Sequence, residues 1–363
     1  MNSHIKRRHA FLGLMIVVFV GLLMLSILLA VTVGAVKIPL GDVYRIVLYQ
    51  ATHFRIGGIE TGIRIGDIDF LTKGTMYEIV WNVRMPRVIM GAIIGVLLAS
   101  CGVVMQATVE NPLADPYILG ISSGASTGAV LSLLVGSLPV IGRLPLHTGA
   151  FFGALFTAML VFVFGGNTIR SGTTRLVLVG MAVSAMFTAL TDLIIFVTPD
   201  SKKVTSAMFW MTGSFAGVAW TDVAPAMIAL AVGILVAVAI RREMDALLMG
   251  EQMARNYGVN VTLIKIVLIV VSTLLTAVMV SMSGIIGFVG LVIPHVTRQL
   301  MGANHGRLLP IALLIGAIFM IWADVIARVC VAPEELPVGV ITAICGAPFF
   351  LAMLRKSRYS FGK

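Results

Sequence analysis

In a chain of 363 residues, 59% hydrophobic and 12% charged, there is more apolar surface than a water-soluble core can absorb. Soluble domains carry roughly 25% charge, so the solvent this composition fits is lipid. The net charge of +10 does not point to nucleic acid, because the basic residues fall mainly in short gaps between apolar runs and form no basic stripe with interleaved aromatics.

Taken in chain order, Lys6, Arg7 and Arg8 precede an apolar run that is too long for a cleaved signal peptide, and it reads as an uncleaved first span. A helix needs about 20 apolar residues to cross a bilayer. The runs that qualify are 10–36, 87–108, 117–138, 147–166, 175–197, 222–240, 264–282, 284–301, 308–331 and 338–354. The expected fold is therefore an all-α polytopic membrane protein of about ten helices, a single transmembrane domain over 1–363. The eighth run is short and follows a tight Ser283-Gly284 junction, which suits a broken or re-entrant element.

An even number of spans puts both termini on one side. Placing them in the cytoplasm gives that side Lys6, Arg7, Arg8, Arg170, Arg175, Arg241, Arg242, Arg255, Lys265, Arg298, Arg307, Arg355, Lys356, Arg358 and Lys363, 15 of the 26 basic residues. The short loops and both tails thus favour N-in, C-in. Two hydrophilic segments interrupt the pattern. Residues 37–86 form an external loop with a near-repeat, Arg55-Ile56-Gly57-Gly58 and Arg64-Ile65-Gly66-Asp67, and short alternating stretches in it pair as a hairpin in this reading. Residues 241–263 form the longest internal loop and read as short helices under the membrane, with a stop at Asn256-Tyr257-Gly258.

Motifs for nucleotide and metal chemistry are absent. There is no GxxxxGK[ST] to cradle ATP phosphates, no HExxH and no metal-spaced Cys/His cluster. The expectation is a chain that is not an enzyme and holds no cofactor or metal. Pro294-His295, inside an apolar run, reads as a kink rather than a ligand. Cys101, Cys330 and Cys345 read as small buried hydrophobes. Charge inside a span is costly and is a functional hypothesis by default. Asp192 stands alone, whereas Asp324 and Arg328 are four apart and share a helix face. They form either a structural ion pair or a proton relay. Gly91-xxx-Gly95-xxx-Ala99 and Gly149-xxx-Gly153 mark close helix packing. Glu110-Asn111-Pro112-Leu113-Ala114-Asp115-Pro116 forces a stiff, non-helical turn at the cytoplasmic surface. That turn is either an inert loop or a constriction at a pore mouth.

The same residues carry a family likeness. Arg84-Met85-Pro86-Arg87, Gly91 through Gln106, Asn111 through Pro116 and Leu119-Gly120 resemble the FecCD-type permeases of ABC importers for ferric siderophores, haem and cobalamin. The likeness continues through Trp210-Met211-Thr212-Gly213-Ser214, Gly250-Glu251-Gln252-Met253-Ala254, Gly284 through Leu291, Pro294-His295 and Arg298, Asp324 through Arg328, and Glu335-Leu336-Pro337-Val338-Gly339.

The resemblance implies a type II ABC importer permease in a bacterial cytoplasmic membrane. Its partners would be a second permease copy, two ATP-binding subunits that hold the ATP and Mg, and an extracytoplasmic binding protein. It implies ATPase coupling through Gly250, Glu251, Ala254 and Gly258. It places a cytoplasmic gate at Asn111, Leu113, Thr173 and Thr174, and binding-protein docking at Arg84, Arg87 and Arg328. Ferric siderophore ranks first as cargo, then haem and cobalamin. The loop 52–76 is longer than usual for the family. A proton-coupled secondary carrier with Asp324 as relay, and a non-transporting scaffold or sensor, compete with this reading.

Overall fold

The computed structural model describes residues 2–34, 36–56, 59–61, 71–135, 145–165 and 173–356. The first helix, α1, is Asn2–Thr32. The predicted external loop begins with a second helix, α2, Leu40–Thr52. It then forms a two-stranded antiparallel hairpin of β1, Phe54–Ile56, and β2, Ile59–Thr61, in which Arg55 pairs with Glu60. A hairpin is thus present in this segment; Arg55 and Ile56 of the near-repeat lie in β1, and β2 follows its first half. The second half, 64–67, lies outside the described residues. A helical lead from Thr75 to Arg84 runs directly into α3, Met85–Val109. Among the described residues of 37–86, most are helical rather than loop.

The chain continues with α4, Ile121–Val130, extended by a wider turn Leu131–Val135. Then come α5, Leu146–Gly165, α6, Thr173–Phe196, α7, Ser201–Met211, and α8, Trp220–Ala239. Two short helices follow, α9, Arg241–Leu247, and α10, Glu251–Asn256. The last four are α11, Val261–Ser283, α12, Val289–Met301, α13, His305–Val329, and α14, Val338–Lys356. Every apolar run read from the sequence contains a helix. Seven helices among the described residues are long and apolar enough to cross a membrane. The elements at the third, eighth and tenth runs are shorter.

Helices are the form this composition demands, because lipid offers no partner for an unpaired backbone amide or carbonyl. The central one is α3, with 83% of its apolar window buried, against 17% for α1 at the periphery. It packs against α8, α11, α12 and α13. Small residues allow the approach: a Cβ on Gly95 would overlap the backbone of Gly316, and one on Gly102 would overlap the carbonyl of Gly290. The Gly149-xxx-Gly153 pair does the same against Gly124 and Gly128, joining α5 to α4. Both glycine patterns are packing seams, as small-residue spacing in lipid implies.

The direction of each helix follows from its contacts. Arg87 near the start of α3 meets Asp324 near the end of α13, while Glu110 after the end of α3 meets Lys265 near the start of α11. The bundle therefore has two chemically distinct ends. One carries the Arg84–Arg87–Asp324–Arg328 cluster and the other carries α9, α10 and the Asn111–Pro116 turn.

Candidate coupling and gate site

The second end holds the predicted coupling and gate residues. Gly250 and Gly258 bracket α10 with φ of +92° and +83°. A Cβ at either would meet nothing within 4 Å, so glycine is required there by backbone conformation and not by space. Ala254 is fully buried between them, in a cluster with Val104, Ala107, Met244, Leu247, Val261 and Leu268. This cluster fastens the two short helices to the end of α3 and the start of α11. Glu251, the first residue of α10, faces Lys265. The Lys265 Nζ donates to Glu251 Oε1 at 2.5 Å and to Glu110 Oε1 at 3.0 Å. Arg255 pairs with the other Glu251 oxygen at 3.2 Å. The Lys265 hydrogen bond is the main cause that holds the Glu251 carboxyl below the usual range.

The turn after α3 is built by its own side chains. Glu110 ends the helix in the left-handed conformation, φ 56°, and Asn111 Oδ1 accepts from the Leu113 amide at 2.9 Å. Asp115 accepts from the Tyr117 amide at 2.8 Å and so opens the short helix Pro116–Leu119. The far side of the turn is pinned to the broken eighth run. Pro116 packs on Gly290, and the Tyr117 hydroxyl donates to the Ile286 carbonyl at 3.2 Å. Gln106 ties the end of α3 to α12, donating to the Leu291 carbonyl at 3.2 Å and accepting from Arg298 at 3.1 Å.

Between turn and coupling helices lies a cleft of about 470 Å³, lined by Gln106, Glu110, Asn111, Pro112, Gly250 and Arg298 among others. The structure therefore brings the predicted gate turn and the predicted coupling segment to one site. Thr173 and Thr174 begin α6, and their side chains lie outside the described residues.

Sequence reasoning missed two connections here. Lys265 entered only as a charge on the cytoplasmic side, although a lone cation four residues into an apolar helix was a visible signal. The second is Asp245 in α9. It accepts from Asn304 Nδ2 at 2.7 Å and from the His305 amide at 2.7 Å, and pairs with His305 Nδ1 at 2.8 Å. It thereby caps the start of α13 across 60 residues, with no local spacing to announce it.

At the opposite end, the three arginines expected on a docking surface are each only 5% exposed. Arg84 donates to the carbonyls of Val31, Thr32 and Val36, and Arg328 to those of Ala30 and Val33. Both reach open carbonyls at the C-terminal end of α1 and just beyond it. Arg87 holds Asp324 at 2.9 Å and Glu335 at 2.8 Å. Arg328 pairs with the other Asp324 oxygen at 3.0 Å. Asp324 and Arg328 do pair, and Arg87 shares the carboxylate. Direct docking by these side chains does not fit such burial. The cysteine expectation also needs correcting: Cys101 is buried, but Cys330 and Cys345 are exposed.

Comparison with known proteins places the chain in a family. Residues 22–356 match the FecCD transport family. The chain is 41% identical to the cobalamin import system permease protein BtuC of Halobacterium salinarum, over 79% of this chain and 76% of that protein. It is 36% identical to the hemin transport system permease protein HmuU of Yersinia pestis, over 79% of this chain and 86% of that protein. Among solved structures, one described as an inward-facing conformation of an ABC transporter of the metal-chelate type superposes with a TM-score of 0.74 at 29% identity. It covers 94% of this chain and 99% of that one. With a family match over nearly its whole length, the chain is a multi-pass membrane protein that belongs to the FecCD transport family of ABC-transporter permeases.

Proposed function

We propose that the chain is the permease subunit of a binding-protein-dependent importer that moves a bulky metal chelate into the cytoplasm. ATP is hydrolysed on partner subunits. Ferric siderophore ranks first as cargo, with haem and cobalamin next; relatives named for cobalamin and hemin support that class. The observation that carries the reading is the cleft shared by the Glu110–Pro112 turn and the Leu247–Gly250 segment. A protein that pushes on α9 and α10 would act directly beside the turn.

In this reading the chain works as a homodimer with two ATP-binding subunits under α9 and α10, both termini cytoplasmic, in a bacterial inner membrane. Asn111 and Leu113, with Thr173 and Thr174, form the gate. Gly250, Glu251, Ala254 and Gly258 form the coupling segment. The binding protein docks on the opposite end, where Arg84, Arg87 and Arg328 act as fasteners of α1, α3 and α13 beneath the docking face. A pathway for such cargo holds it weakly, since tight binding would trap it. The proton-relay reading loses ground, because Asp324 is 1% exposed and has an arginine on each oxygen.

The test is reconstitution with the ATP-binding subunits and the binding protein, following uptake of ferric hydroxamate, hemin and cobalamin. The expected result is co-purification with the ATPase, no hydrolysis by this chain alone, and ATP-dependent uptake of one of the three. Uptake driven by a pH gradient without ATP, or no uptake with every partner present, would replace the proposal with a secondary carrier or a scaffold.

A further inference from the structure

Lys265 is 4% exposed, yet both of its acidic partners are near 40% exposed: 40% for Glu110 and 37% for Glu251. Its single ammonium joins three elements. Glu110 immediately precedes Asn111 in the gate turn, Glu251 opens α10, and Lys265 itself belongs to α11. This arrangement is asymmetric in a useful way. If α10 shifts and takes Glu251 with it, the buried cation either follows or is left short of a partner, and an uncompensated buried charge is strongly unfavourable. The acids have no such constraint, since water can reach both.

We infer that Lys265 is a positioning residue that transmits displacement of α10 to the gate turn through its paired bridges to Glu251 and Glu110. The inference rests on the reading of α10 as the ATPase-facing helix. It goes beyond that reading by naming the side chain through which movement reaches the turn. The apolar cluster around Ala254 also joins these elements, so the test must separate charge from packing. Lys265→Met does so. It keeps the aliphatic stem and removes the buried cation altogether, leaving two carboxylates that solvent can accommodate.

The experiment uses the full chain with its ATP-binding subunits in lipid nanodiscs, in a Cys330→Ser, Cys345→Ser background carrying Leu113→Cys. The labelling rate of Leu113→Cys by a membrane-impermeant maleimide is measured with and without vanadate-trapped ATP. In the reference background, nucleotide changes the rate. Lys265→Met is expected to shrink that change at least about fivefold, the lower end of ordinary coupling between sites, while ATP hydrolysis persists. Lys265→Arg, which keeps the cation, restores it. Glu251→Gln, which breaks one arm only, gives a second reading if Lys265→Met fails to fold. A full nucleotide-dependent change in either Lys265→Met or Glu251→Gln overturns the inference while leaving the importer reading intact. No nucleotide effect in the reference background, or no association with the ATPase, overturns the importer reading and this inference with it.

Discussion

Asp324 has no uncommitted oxygen: Arg87 and Arg328 hold both from different helices. Removing the carboxylate's charge while keeping its shape leaves two guanidiniums buried with one remaining acid, Glu335, to share. Breaking a buried pair in this way costs about 3–5 kcal/mol. Asp324→Asn is therefore expected to lower the detergent melting temperature clearly, read by loss of monodisperse protein on heating. Unchanged melting with lost transport would instead revive the relay reading. At the other end, Glu251 titrates low because Lys265 donates to it. A depressed carboxylate stabilises the fold above its unfolded pKa, and that contribution is lost as pH falls through the folded value. Melting of the wild type and Glu251→Gln should therefore differ at neutral pH and converge in acid, below the ordinary carboxylate range. A difference that persists in acid would show that the carboxylate's charge is not what stabilises. The Asp324–Arg328 pair was legible because four residues separate its members on one helix. Arg87's place in it was not, since Arg87 lies 237 residues from Asp324 and 248 from Glu335.

At the scale of elements, apolar length located the ten helical regions well, because a lipid-facing helix must be apolar along its whole run. The same signal is blind to short amphipathic helices between the long apolar ones. In α2, Val43, Ile46 and Tyr49 are buried, a helical spacing diluted by polar neighbours in a region of mixed composition. In α7, Asp200 caps the start by accepting from the Lys202 and Lys203 amides, a local signal that hydropathy ignores. The shortness of α4 and α12 was half legible. Prolines and glycines marked the irregular backbone at 110–120 and 284–288, but only the fold shows that these two segments lean on each other through Tyr117 and Pro116. Irregular backbone at membrane depth needs such protein cover. The α3–α12 seam gives a direct test. Gly102→Ala forces the helices apart at the Gly290 carbonyl and is expected to destabilise by about 1–3 kcal/mol, the usual cost of overpacking. Gly41→Ala in α2, where a Cβ meets nothing within 4 Å, is the control and should be neutral or slightly stabilising. Equal melting of the two variants would remove the seam from the account.

At the scale of the whole molecule, the two ends of the bundle differ in kind, and their orientation decides what each can do. The arginine cluster and Cys330 lie at the end where α13 finishes, whereas α9, α10 and Tyr257 lie where α3 finishes and α11 begins. An ATPase reaches only the cytoplasmic side and a binding protein only the external side, so the importer reading stands on one orientation. The proposed orientation, which the charge bias in the short loops favours, puts α9 and α10 inside. Exposed cysteines make this measurable. Cys330 is exposed and Tyr257 is 68% exposed. In a Cys345→Ser background, native Cys330 should react with an impermeant maleimide in intact spheroplasts. A Tyr257→Cys variant with Cys330→Ser should react only after permeabilisation. The reverse pattern would put the coupling segment outside, where no ATP-binding subunit could press on Glu251, and the shared cleft would lose its meaning as a gate.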